Sequence, residues 1–195
     1  MTKGLRWRVL VLQVGLSGIL AFVAGFAFWA SSFSHNMVRD QLAAQQIYFP
    51  QAGSKALDAA VYPDLQQYAG QQVVSGEQAK AYADGFIGRH LQGVAGGQTY
   101  SQVSAAALAN PSDQKLAGQV QTLFRGETLR GLLLNAYGWW QVGQYAFYSA
   151  IGLVIAAAVV FGALLLELAI WYRAVRRERA TARAPLVGEA RLTPA

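Results

Sequence analysis

"YAFYSAIGLVIAAAVVFGALLLELAIWYR", Tyr145 to Arg173, is the stretch on which the reading of the whole chain turns. It holds one acid, Glu167, and no other charge before Arg173. The uncharged run begins earlier, at Gly131, and lasts through Leu166. As a helix rising 1.5 Å per residue it measures about 54 Å, against about 30 Å of bilayer hydrocarbon. Part of it must therefore project from a membrane. Tyr137, Trp139, Trp140, Tyr145 and Tyr148 crowd one end, and Trp171 and Tyr172 stand at the other. Amphipathic rings prefer headgroup level, so the span proper is expected at residues 145–172, with 131–144 as an approach outside it. Glu167 then lies near the far end of the span. There it reaches the interface or pairs with Arg8 or Arg173, at much lower cost than at the midplane.

A second uncharged block runs from Val9 to Ala30. It exceeds the apolar core of a secretory signal, although "AFWA" at 27–30 resembles a weak cleavage site, and an uncleaved anchor is expected. The overall composition agrees: the chain is 54% hydrophobic and only 13% charged, outside the range of soluble domains. Its net charge of +6 is segregated. Lys3, Arg6 and Arg8 precede the first block, and Arg173, Arg176, Arg177, Arg179, Arg183 and Arg191 follow the second. Residues 31–143 carry seven basic and seven acidic side chains and are neutral, which argues against nucleic acid as a partner. Basic flanks stay on the cytoplasmic side, so both termini are expected there. The expected fold class is an all-α membrane protein. A cytoplasmic N-terminus (1–8) leads into transmembrane helix 1 (9–30), a helical exoplasmic domain (31–144) and transmembrane helix 2 (145–172). A basic cytoplasmic tail (173–195) follows, partly disordered from Ala180 on, with arginines suited to anionic lipid.

Local signals make the middle segment helical. Ser75 followed by Gln78 fits a capping box, and Lys80 and Asp84 stand at i,i+4. That helix carries Ala79, Tyr82, Ala83, Phe86, Ile87 and His90 on an apolar face and ends before "GVAGG" at 93–97. Tyr100 to Ala109 reads as a helix stopped by Asn110-Pro111, and Ser112 with Asp113 opens the next, which feeds into the second span. Its apolar stripe changes phase at Gly126, where it either bends or meets a second partner. Ser34 to Gln46 extends the first span outward, Pro50 ends it, and Pro63 suits a helix start.

Small residues recur in both spans: Gly18, Ala21 and Gly25 in the first, Gly152, Ala156, Ala158 and Gly162 in the second. Such faces allow close approach of helices, either within the chain or to another copy or partner. Gln13 and Ser17 are placed to add interhelical hydrogen bonds.

Chemistry is sparse. Cysteine is absent, which removes disulfides, thiolate ligands and thiol nucleophiles. The only histidines, His35 and His90, lie far apart and lack companions at ligand spacing; His90 is expected to be packed or interfacial. No nucleophile elbow or phosphate loop is present. No catalytic residue, metal site or cofactor is therefore assigned. The most unusual text is "LFRGETLRGLLLNAYGWW", Leu123 to Trp140. Arg125, Glu127 and Arg130 sit there among apolar residues, and Trp139 and Trp140 are expected to cap a groove fit for a ligand or partner.

"DQLAAQQIYFP" (40–50), "YAGQQVVSGEQAKAYADGFIGRHL" (68–91) and "LAGQVQTLFRGETLRGLLLNAYGWW" (116–140) resemble uncharacterised two-span membrane proteins of high-G+C Gram-positive (actinobacterial) bacteria. The resemblance implies a bacterial plasma membrane location and carries no activity. The expectation is a non-enzymatic membrane structural or interaction protein of the bacterial envelope. Its partners would be membrane lipids and either a second copy, as a homo-oligomer, or a larger membrane complex. The alternative is a lipid, quinone or small-molecule binding accessory subunit of an envelope transport complex.

Overall fold

The computed structural model describes residues 3–189. Among them the architecture is all-helical, without a strand, and two helices are long and apolar enough to cross a membrane. In chain order come α1 (Lys3–Ala44), α2 (Gly76–Lys80), a π-helix (Ala81–Gly88), α3 (Arg89–Ala95), α4 (Tyr100–Ala109) and α5 (Gln114–Glu189). Short 3₁₀ turns occupy Lys55–Leu57 and Pro63–Tyr68. The chain forms two compact units: Met1–Phe28 with Tyr148–Ala195, and Trp29–Phe147.

The first unit contains only segments of α1 and α5. Its buried positions recur every three or four residues: Gln13, Ser17, Leu20, Ala24 and Ala27 on α1, and Ala150, Leu153, Ala157, Val160, Leu164 and Glu167 on α5 are shielded to differing degrees. This is the heptad spacing of a helix pair packed along one seam. The small residues singled out from the sequence, Gly18, Ala21, Gly25, Gly152, Ala156, Ala158 and Gly162, all face outward. A Cβ added at Gly18, Gly25, Gly152 or Gly162 would meet nothing within 4 Å. The seam instead uses their neighbours Ser17, Ala24 and Ala157, a step of about 100° around each helix. The interhelical bonds expected of Gln13 and Ser17 are not made by Gln13 Oε1 or Ser17 Oγ, both buried and unpartnered. The seam positions of α5 offer only apolar groups besides Glu167. Among the described residues no ion pair joins Glu167 to Arg8 or Arg173. Where the sequence suggests a structureless tail from Ala180, α5 continues to Glu189 through strong helix formers such as Ala180, Ala182 and Arg183; residues 190–195 lie outside the described ones.

The second unit has a core of its own. Val38 and Leu42 of α1, Phe49, Leu57, Leu65, Val73, Ile87, Leu91, Val103 and the α5 residues Leu123 and Leu133 are all buried in it. α1 ends at Ala44, before Gln46 turns to φ 53°. Residues 47–49 then run antiparallel to 71–73, joined by Phe49 N donating to Gln71 O at 2.9 Å and Val73 N to Ile47 O at 2.8 Å. The loop between them drops Leu57 and Leu65 into the core, the latter from the turn that Pro63 opens.

The expected capping box is present: Ser75 Oγ accepts from Gln78 N, and Gln78 Oε1 accepts from Ser75 N, both at 3.2 Å. Helical structure then continues unbroken from Gly76 to Ala95, with a π segment at its centre that the sequence does not announce. Ala79, Ala83, Ile87, Leu91 and Ala95 are buried at a strict spacing of four. On a 3.6-residue turn that spacing drifts by about 40° per step, and the wider i→i+5 turns absorb the drift. The same re-phasing explains why His90, expected on the packed face, is exposed. α4 begins at its own box, Thr99 with Gln102, and ends at Ala109 as expected. Asp113 Oδ1 starts α5 by accepting from Lys115 N and Leu116 N. α5 runs without interruption across Gly126, whose missing Cβ leaves room for Leu91; a Cβ there would lie 2.5 Å from Leu91 Cδ2. The phase change at Gly126 therefore reflects successive packing partners rather than a break.

Candidate functional site

The charged side chains of the second unit converge where the helix of residues 76–95 lies on α5. The π turns carry Asp84 between two cations. Lys80 Nζ donates to Asp84 Oδ2 at 2.8 Å, and Arg130 Nη2 donates to Asp84 Oδ1 at 3.0 Å. Arg130 Nη1 also donates to Glu127 Oε2 at 3.1 Å, one helical turn earlier on α5. A row Lys80, Asp84, Arg130, Glu127 results, with alternating sign. The hydrogen bond from Lys80 holds the Asp84 carboxyl below the usual range against the opposing effect of burial, and the bond from Arg130 adds to it. Hydrogen bonding to Asp84 raises both Lys80 and Arg130. A short distance along, Arg89 grips Asp64 with both nitrogens, at 2.7 and 2.8 Å, and this lowers Asp64 in the same way.

The paired tryptophans do not act together. Successive residues on a helix point about 100° apart, and only Trp140 turns inward. Its indole lies tilted against the His35 ring, centroids 4.2 Å apart, and Nε1 donates to Glu77 Oε1 at 2.7 Å. It lies against Gly76, where a Cβ would come within 2.3 Å of Trp140 Cβ, so glycine is required at this first position of α2. Trp139 stays exposed, its carbonyl accepting from Ser34 Oγ. Tyr137 also turns inward, under Lys80, whose ammonium stands 5.3 Å from the ring centre. The aromatic group read as one belt is thus divided: Trp140 packs against the core of the second unit and Tyr137 is half-buried beneath Lys80, while Trp139, Tyr145 and Tyr148 are exposed.

Two grooves flank the charge row. The first, about 470 Å³, lies between the Pro63–Tyr68 turn, the helix of residues 76–88 and α5; its walls include Asp64, Glu77, Lys80, Asp84, Tyr137 and Gln141. The second, about 450 Å³, lies on the other side of Asp84 and reaches the start of α4, with Gln92, Gln98, Ser101, Glu127 and Arg130 in its walls. Of the residues proposed from sequence, Glu127 and Arg130 line the second groove, Trp140 braces the wall of the first through Glu77, and Arg125 and Trp139 lie exposed, outside both linings. Asp84 is legible in the sequence only as the i,i+4 partner of Lys80, and nothing local marks Glu77, Asp64 or Arg89 as groove residues. Arg130 and Asp84 are 46 positions apart, and no local pattern links them. Among the described residues no cluster of three or more His, Cys, Asp or Glu is arranged to hold a metal ion. The chain matches no profile of a known protein family, no curated protein and no solved structure.

Proposed function

We propose that the chain is a non-catalytic interaction protein of a bacterial plasma membrane. It crosses twice, keeps both termini in the cytoplasm and holds residues 31–144 outside, where this helical part meets a partner or a second copy. One observation carries the reading. In the most apolar window of each long helix only 6% is buried, although a core helix of a soluble protein with that composition would be mostly covered. Lipid is the solvent that such a surface fits. The outward small-residue faces of both spans suit close approach of a further helix. The non-catalytic part draws support from the acids of the charge row: Asp84 is engaged by two cations and lowered, which makes it a poor proton carrier near neutrality.

A second reading, a lipid, quinone or small-molecule binding accessory subunit, is favoured by the two grooves beside Asp84. The absence of cysteine supplies a clean test of the topology common to both. Ser112→Cys, at the turn before α5, should react with a membrane-impermeant maleimide on intact cells, and Arg177→Cys should react only after lysis. Labelling of both from outside, or of neither, overturns the arrangement.

A further inference from the structure

We infer that the seam between α1 and α5 in the first unit is a binding site for a small hard cation, a proton or Na⁺, formed by Gln13, Ser17 and Glu167. The inference rests on the two-span reading, which surrounds that seam with hydrocarbon. Gln13 and Ser17 stand one helical turn apart on the seam face of α1. Gln13 Oε1 and Ser17 Oγ are buried, and neither has a hydrogen-bond partner. An oxygen shut away from water without a partner is costly, and inside a bilayer no solvent relieves it. α5 brings no donor to them: from Ala150 to Leu164 its shielded positions are all apolar, and Glu167 is the one polar side chain on its seam face. While ionised, Glu167 only adds further acceptors. It is partly shielded, and among the described residues no ion pair reaches it. The charged neighbours lie towards the edge of the seam: Arg6, on the same face of α1 but about 10 Å along the helix from Gln13, and the exposed Arg8 and Arg173.

Depth agrees with the placement. Trp7 and Trp171, 68 and 47% exposed, mark one face of the bilayer on the two-span reading. Gln13 lies six residues inward of Trp7 and Glu167 four inward of Trp171, about 9 and 6 Å at 1.5 Å per residue. The seam therefore gathers oxygen acceptors in excess of donors at one depth. A cation resolves the excess in either form. A proton turns Glu167 into a donor for Gln13 Oε1, whereas Na⁺ takes the carboxylate, amide and hydroxyl oxygens together as ligands, an all-oxygen set suited to a hard cation. Both neutralise Glu167, and a neutral side chain is what a membrane seam tolerates.

The test uses the full-length protein in nanodiscs of neutral phosphatidylcholine, treated with dicyclohexylcarbodiimide and mapped by peptide mass spectrometry. The reagent partitions into lipid and reacts with a protonated carboxyl, whose O–H adds across a C=N bond to give an O-acylisourea that rearranges to a stable N-acylurea. Modification is expected at Glu167, and much more slowly at Glu178, which is exposed further along α5. A rate that falls as pH is raised and ignores Na⁺ identifies the proton as the resident cation. A rate suppressed by Na⁺, with choline as the control, identifies Na⁺. Gln13→Leu should lower about tenfold whichever quantity the parent shows, the rate at pH 7 or the protection by Na⁺. Ser17→Ala should act in the same direction, and Ser17→Thr, which keeps the hydroxyl, should behave as the parent does. Reaction at Glu167 no faster than at Glu178, a rate indifferent to both pH and Na⁺, or a folded Gln13→Leu protein with rate and protection unchanged overturns the inference. The maleimide result reads the threading independently, so an unreactive Glu167 in a correctly threaded chain removes the site and leaves the two-span reading standing.

Discussion

The two compact units put their apolar side chains in opposite places. In the first, Leu12, Phe22 and Val159 are 71, 76 and 67% exposed, while the seam between the helices mixes the small residues Ser17, Ala24, Ala150 and Ala157 with Leu20, Leu153 and Leu164. In the second, Phe49, Leu57, Leu65, Leu123 and Leu133 are each at most 2% exposed, and the charges lie in paired rows around them. A surface of exposed leucine and phenylalanine around so thin a seam suits surroundings of hydrocarbon, because burial there gives apolar side chains no advantage. The reverse arrangement gains its stability from water. One chain thus folds by two different sets of rules, and the changeover falls within α1 and α5 rather than in a loop.

The largest effect that sharpens this contrast comes from the second unit. Leu133→Ala removes a fully enclosed side chain and should cost about 2–5 kcal/mol. Chemical unfolding followed by near-ultraviolet circular dichroism would register it, with far-ultraviolet helicity from the long apolar helices of the first unit persisting beyond the transition. A comparable but opposite probe is an arginine at an exposed position. Val159→Arg, near the middle of the second apolar helix, should lower membrane integration by about 2.5–3.5 kcal/mol, read as material released by alkaline carbonate. Leu132→Arg, equally exposed but in the second unit, should leave integration unchanged within about 0.5 kcal/mol. Equal tolerance at the two sites would erase the distinction between the units.

The smallest effect is on pH. Asp84 and Asp64 are held below the ordinary carboxylate range by their cations, so the folded second unit binds fewer protons than its unfolded form. Stability from these pairs is therefore fully present above about pH 4 to 5 and declines as pH falls through the lowered folded values. Both pairs are partly solvated, so the loss should be a fraction of a kcal/mol each. A melting temperature for the second unit that falls between pH 7 and 5 would contradict the assignment.

Much of this arrangement is written locally. Ser75 and Gln78 mark a helix start, Asn110-Pro111 a stop and Asp113 a restart, because each acts on backbone groups within four residues. The apolar lengths of α1 and α5 are equally plain. What the sequence conceals is long-range or depends on phase. Arg130 reads in the sequence only as one charge among apolar residues, and its partner Asp84 comes from a π-helix that no periodicity rule anticipates. Trp140 looked like a twin of Trp139 until Gly76 and Glu77 gave it a seat. The small residues of the spans are plain in the sequence, but which face of each helix lies inward depends on a single helical step.

The π-helix also bears on how the chain tolerates change in length. Deleting one residue within Ala81–Gly88 would let the segment close into ordinary α-helix, so an indel there acts as a twist between Lys80 and Arg89 rather than as a rupture. Relatives one residue shorter at this point should keep every hydrophobic layer on one side of the deletion and lose the clasp between the Arg89 and Asp64 counterparts on the other.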